Sequence, residues 1–215
     1  MNSITPVTSL AKTAVEVVED VISKERKGEP LGEDLEDLRD AVMTVARRSD
    51  SLTQFVDSYR QISRMAPPEK KRIRLADLFE TIDKLAHAEW PGSRVDLSLE
   101  VVPHELDVYA DRDLLEPVLL NLIRNAWQST LNIDKPEIML RGRLNRRNNV
   151  VIEVIDNGPG VPDSIATKIF VPFFTTKESG SGVGLALARQ VMIAHGGFIR
   201  VSRNDSGGAT FSLTF

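Results

Sequence analysis

Asn121 and Asn125 stand four residues apart in "LLNLIRNAWQS". That spacing puts both carboxamides on one face of a helix, with Leu119, Leu120, Leu122 and Ile123 filling the others. Two neutral carboxamide oxygens can ligate a hard cation such as Mg2+ while their amide groups donate to phosphate. Surface or capping asparagines share the same spacing. Asp156 closes a strand-like run and opens "DNGPG", with Gly158 and Gly160 behind it. A carboxylate at a strand end can accept from an exocyclic amine, and the glycines let a flat ring approach the backbone; a plain turn has the same composition. In "FVPFFTTKESGSGVGLALA", Gly180, Gly182 and Gly184 can turn successive N–H groups toward an anion beside a helix N-terminus. Lys177 adds a cation and Thr176 a hydroxyl. A flexible linker carries similar glycines, but it need not run straight into an apolar helix as this segment does.

These groups need a scaffold, and the chain supplies two kinds. Residues 3 to 23 repeat apolar side chains in three- and four-residue steps, among them Ile4, Val7, Leu10, Ala14, Val18 and Val21, which predicts a helix with one buried stripe. "KERKGEPLGED" breaks the pattern, and Asp34 can cap a second helix of roughly 30 residues that carries Leu35, Leu38, Val42, Val45, Leu52, Phe55, Tyr59 and Ile62. Two such helices form a hairpin too thin to cover both stripes, so residues 1–66 are expected to pair with a second copy as a four-helix bundle in a homodimer. "MAPPEKKRIR" ends the hairpin with paired prolines and a basic run, giving a linker over 67–73. Beyond it, "RVDLSLEVV", "EIMLRGRL" and "NVVIEVID" read as strands. Residues 113–130, 163–170 and 183–195 read as helices, and "GFIRVSRNDSGGATFSLTF" reads as two strands around a turn. Residues 74–215 are therefore expected to be an α+β sandwich with helices on one face of a mixed sheet.

Composition bounds the partners. With 27 Lys and Arg against 31 Asp and Glu, the net charge of -4 offers no general attraction to nucleic acid or anionic lipid. The absence of cysteine excludes disulfides and thiolate metal sites and fits a reducing, cytoplasmic compartment. No apolar run approaches the roughly 20 residues of a membrane span. Any membrane anchor would lie outside these residues.

Taken in order, "NLIRNA", "DNGPGV", "FVPFFTTK" and "GSGVGLALARQVMIAHGG" resemble the N, G1, F and G2 boxes of the GHKL ATPase superfamily, specifically the catalytic domain of bacterial sensor histidine kinases. The resemblance implies a Bergerat-type fold binding Mg-ATP. Asp156 would read the adenine amine, Asn125 and Asn121 would hold Mg2+, and Gly158, Gly160, Gly180, Gly182, Val183, Gly184 and Leu185 would line the pocket and its closing loop. Phe170, Phe173 and Phe174 would anchor the lid, Thr176, Lys177 and Arg124 would meet the phosphates, and Thr210 in "GGATF" would supply a hydroxyl near the adenine. Hydrolysing members of the superfamily are expected to carry a Glu four residues before the metal-binding Asn. Here that position is Asn121, and an amide cannot take a proton from water near neutral pH, so transfer to another acceptor is favoured over hydrolysis.

The hairpin resembles the dimerisation and phosphotransfer domain of the same kinases. Aligning "NSIT" with the tail of the H box, His-Glu-x-x-Asn-Pro/Ser-Leu-Thr, places the acceptor histidine just before Met1, which implies a chain truncated after it. His87, His104 and His195 do not replace it: they are expected in a helix, in a strand-adjacent turn and as a helix C-terminal cap. The implied partner is a response regulator receiver domain. Two other readings are a histidine-less binding module of the anti-sigma or phosphotransfer kind, and a GHKL ATPase acting as a clamp.

Overall fold

The computed structural model describes residues 67–90, 96–177 and 182–215, together with residues 15, 18, 36, 38–40 and 42–46. The described residues before 60 are helical; otherwise the expected hairpin and its pairing lie outside the described residues. Two compact units are present. One contains 67–171 and 184–215, and the other contains 172–177, 182 and 183 with the described residues before 60.

The first unit is an α+β sandwich. Its elements run β1 (Lys71–Arg74), α1 (Leu75–Glu89), β2 (Asp96–Val102), β3 (Asp107–Ala110), α2 (Arg112–Thr130), β4 (Glu137–Leu144), β5 (Val150–Asp156), a 3-10 turn (Lys168–Phe170), α3 (Gly184–Ala194), β6 (Phe198–Arg203) and β7 (Ala209–Thr214). Five strands form one sheet in the order β2-β4-β5-β7-β6, with β2 parallel to β4 and the other pairs antiparallel. β1 and β3 make a separate antiparallel pair.

Register separates the two faces of the large sheet. Leu140, Val154, Phe211 and Val201 sit side by side on four successive strands. They face a core that takes Leu75, Leu78, Phe79 and Ile82 from α1, Leu115, Leu119, Leu122 and Ile123 from α2, and Ala188, Val191 and Met192 from α3. One residue along, the pleat turns Glu100, Arg141, Glu153, Ser212 and Arg200 to the opposite face in a second row. Glu153 is only 4% exposed there, and Arg141 and Arg143 close over it: Arg141 Nε donates to Oε2 at 2.9 Å and Arg143 Nη2 to Oε1 at 2.6 Å. Burial pushes the Glu153 carboxyl up, but the hydrogen bonds and charges of Arg143 and Arg141 outweigh it and hold the group below the usual carboxylate range. The hydrogen bond to Glu153 raises Arg143 in turn.

The chain enters the sandwich through a polar latch. Asp111 caps α2 by accepting from the Asp113 N–H at 3.1 Å, and its other oxygen accepts from the Glu69 N–H at 2.9 Å. The Asp111 N–H donates to His195 Nε2 at 2.9 Å, so Nε2 is the acceptor nitrogen and Nδ1–H donates to the Val191 carbonyl at 2.8 Å. Lys70 Nζ donates to the His195 carbonyl at 2.9 Å.

Two local expectations differ from the structure. Residues 71–73, expected as the end of the linker, belong to β1, and its partner β3 is too short to show as periodicity. Residues 163–170 form turns ending in a 3-10 segment rather than a helix. β-Branched Ile165, Thr167 and Ile169 and the nearby Pro172 disfavour a longer helix. Pro117 lies inside α2, which begins at Arg112 and continues through it. Asp113 there lacks the N–H that a residue other than proline would offer its carbonyl.

Candidate nucleotide site

Helix α2 supplies the floor. Asn121, Asn125 and Ser129 recur every four residues and share one face over about 12 Å of helix. At one end, the Asn121 carboxamide lies against Gly184, the first residue of α3. A Cβ at Gly184 would overlap Asn121 Oδ1 and stand 2.7 Å from its Cγ, so the approach requires glycine. Asn121 Nδ2 is buried and has no hydrogen-bond partner among the described residues. At the other end, Ser129 Oγ donates to the Ala126 carbonyl at 2.8 Å, and a Cβ at Gly158 would come within 2.8 Å of that hydroxyl. One helix face thus runs from the N-terminus of α3, whose first N–H groups lack intrahelical partners, to the turn after β5.

Asp156 is the last residue of β5 and is 4% exposed. Its Oδ1 accepts from the Gly158 N–H at 2.9 Å and the Ala209 N–H at 3.2 Å, so two backbone donors, one from the turn after β5 and one from the start of β7, hold the carboxylate. The β6–β7 turn packs against it from behind. Asn204 Nδ2 donates to the Asp156 carbonyl at 2.8 Å and to the Ala209 carbonyl at 3.2 Å. A Cβ at Gly208 would fall on the Asp156 carbonyl oxygen. Gly160 has φ +75, and a Cβ there would meet the Gly207 carbonyl at 2.6 Å. These contacts fix the end of β5 and the carboxyl group that it carries.

The glycine-rich segment belongs partly to the other unit. Its ends are tied by a hydrogen bond from the Phe173 N–H to the Gly182 carbonyl at 2.9 Å. Phe173 and Gly182 both have positive φ, 68 and 67. Phe174 is half-buried, Thr176 and Lys177 are exposed, and Val183 is buried. The Lys177 N–H donates to Thr175 Oγ1 at 3.1 Å. Gly180 lies outside the described residues. Phe170 closes the 3-10 turn in the sandwich and is buried, while Gly184 and Leu185 open α3.

Two expected residues are placed elsewhere. Arg124 pairs with Glu89 and lies 6.0 Å over the Trp90 ring, which itself stacks on Trp127 at 5.5 Å. That commitment to the end of α1 directs it away from the Asn121–Ser129 face. Thr210 pairs in register with Ile155 and Ser202 on the Glu153 face of the sheet, opposite Asp156. The neighbouring Ala209 is the residue that reaches Asp156, through its backbone. Ser129 and Asn204 were not anticipated. Continuing the four-residue step from Asn121 and Asn125 would have found Ser129, whereas no local signal marks Asn204. Among the described residues no cluster of three His, Cys, Asp or Glu side chains could hold a metal. A hard cation at this site would therefore rest on carboxamide oxygens and the phosphate oxygens of its ligand.

The model of the histidine kinase-, DNA gyrase B-, and HSP90-like ATPase family matches residues 110–215. The signal transduction histidine-protein kinase AtoS of Escherichia coli is 36% identical over 169 residues, which cover 79% of this chain and 28% of AtoS. The sensor protein FixL of Bradyrhizobium diazoefficiens is 34% identical over 161 residues, 75% of this chain and 32% of FixL. The chain thus spans about a third of each of these two relatives. The solved catalytic domain of the histidine kinase ThkA superposes with a TM-score of 0.61 at 30% identity, covering 68% of this chain and 95% of that domain. The chain belongs to this ATPase family, and within it carries the core of the sensor histidine kinases.

Proposed function

We propose that these residues bind Mg-ATP and serve as the catalytic core of a two-component kinase. The γ-phosphoryl passes to a histidine supplied from outside these residues and then to an aspartate of a response regulator receiver domain. The observation that carries this reading is the α2 face, which joins the start of α3 to the turn beside Asp156. A nucleotide laid along it sets its adenine amine at the Asp156 carboxylate and its phosphates at Asn121, Asn125 and the N–H groups of Gly184 and Leu185. Mg2+ fits the donor set: Asn125 and Asn121 offer carboxamide oxygens, and the unpartnered Asn121 Nδ2 suits a phosphate oxygen. The bound ion neutralises phosphate charge, while the residues orient the nucleotide. The resemblance of their sequence segments assigns Gly158, Gly160, Phe170, Phe174, Thr176, Lys177, Gly180, Gly182 and Val183 to nucleotide binding as well. Function in the cytoplasm as a homodimer through residues 1–66 belongs to the same reading.

With an amide rather than a carboxylate at position 121, no general base stands where hydrolysing relatives are expected to hold one. The chain is expected to release little phosphate from labelled Mg-ATP by itself, and to label a histidine-bearing helical hairpin supplied in trans. Steady phosphate release without transfer would favour an ATPase instead.

A further inference from the structure

We propose that Asn204 is a positioning residue for nucleotide specificity, acting through Asp156. The proposal rests on the reading of Asp156 as the group that meets the adenine amine. Asn204 stands in the β6–β7 turn, held by the hydrogen bonds of Asn204 N–H to Gly208 O and of Gly207 N–H to Asn204 O, each 3.0 Å. Its carboxamide reaches out of that turn and donates through Nδ2 to two carbonyls: that of Asp156, which ends β5, and that of Ala209, which begins β7. The same two residues are linked through the carboxylate, because the Ala209 N–H donates to Asp156 Oδ1 at 3.2 Å. Asn204 therefore braces the backbone on both sides of the hydrogen bond that sets the carboxylate plane.

The chemistry of the brace is specific. Both groups facing Nδ2 are carbonyl oxygens, so the amide has one acceptable orientation, and Asn204 Oδ1 is left buried with no partner among the described residues. A serine has one hydroxyl proton and can bond only one of the two carbonyls. An aspartate would face both with negative charge. Neither the turn nor the strand pairing needs the side chain for its own hydrogen bonds, since these run backbone to backbone. The unpaired oxygen is a cost, and a role in holding Asp156 gives a reason for tolerating it.

Adenine presents an amine donor where guanine presents a carbonyl acceptor, so a well-aimed carboxylate favours the first and rejects the second. Releasing the Asp156 backbone should narrow that difference. Calorimetry with ADP and GDP on the wild-type chain, Asn204→Ala, Asn204→Ser and Asn204→Asp measures it directly. The preference for ADP over GDP is expected to fall roughly tenfold in Asn204→Ala, less in Asn204→Ser and most in Asn204→Asp. Asp156→Asn combined with Asn204→Ala should discriminate no less than Asp156→Asn alone. If Asn204→Ala does not fold, the order of Asn204→Ser relative to wild type decides the question. Variants that bind both nucleotides more weakly by one common factor, or that keep the full preference, would overturn the role of Asn204. A wild-type chain that binds neither nucleotide would instead remove the reading of Asp156 on which the proposal rests.

Discussion

Gly184 shows how closely the site is built. It opens α3 at a point where the Asn121 carboxamide already fills the space a Cβ would need. Gly184→Ala should push Asn121 off the helix start and weaken ADP binding by about tenfold or more, because a displaced donor is lost to the phosphates. Calorimetry reads the binding, and an unchanged affinity would show that Asn121 is not held by this contact. At this scale the sequence was informative where the chemistry is local. Asn121 and Asn125 share a helix face through spacing alone, and Asp156 is followed at once by the glycines that pack around it. It was silent where the partner comes from far along the chain: Asn204 is 48 residues from Asp156 and reaches it only through the sheet. Thr210 shows a limit of motif alignment, since a one-residue shift along a strand carries a side chain to the other face.

Among the elements, α2 matters most, for it carries the candidate site on one face and the core on another. Its N-terminus depends on Asp111, which caps the helix and also receives the Glu69 N–H. Asp111→Ala is predicted to destabilise the sandwich by about 1–2 kcal/mol, measured by urea unfolding. A loss much smaller than this would mean that solvent replaces both bonds. The sheet makes a pH prediction. Glu153 is ionised in the fold below the ordinary carboxylate range, so its contribution is present above the unfolded value near 4.3 and is lost as pH falls through the lower folded value. Glu153→Gln should therefore cost about 1–2 kcal/mol at pH 7, allowing for the partial exposure of Arg141 and Arg143, and flatten the stability curve in that acid window. An unchanged acid limb would place the titration elsewhere. Strands β4 to β7 were legible because alternation, or in β5 an apolar run, extends over six to eight residues with turn formers between them. β1 and β3 are four residues each, too short for a period to appear, and their pairing depends on long-range closure.

For the molecule as a whole, the proposed kinase reading raises the question of where a phosphoryl group would go. His195 cannot take it without breaking the latch: it is 7% exposed, and its Nε2 is held by the Asp111 N–H. His87 lies on the exposed face of α1 beside Asp83, and His104 lies in an exposed turn. Mass spectrometry after incubation with Mg-ATP should find no phosphohistidine in this chain, and phosphate on any of the three would contradict the assignment of the acceptor elsewhere. Among the described residues no helix is long and apolar enough to cross a membrane. The α+β class was legible from the change of periodicity after the linker, while the arrangement of the first 66 residues lies largely outside the described ones.

The central claim is that a nucleotide lies along α2 with its base at Asp156. Calorimetric titration with a nonhydrolysable ATP analogue, with and without Mg2+, on the wild-type chain and Asp156→Asn tests it most directly. The account predicts Mg2+-dependent binding to the wild-type chain that weakens about a hundredfold in the variant, since the carboxylate acceptor is replaced by an amide. Equal binding to both folded chains would contradict it.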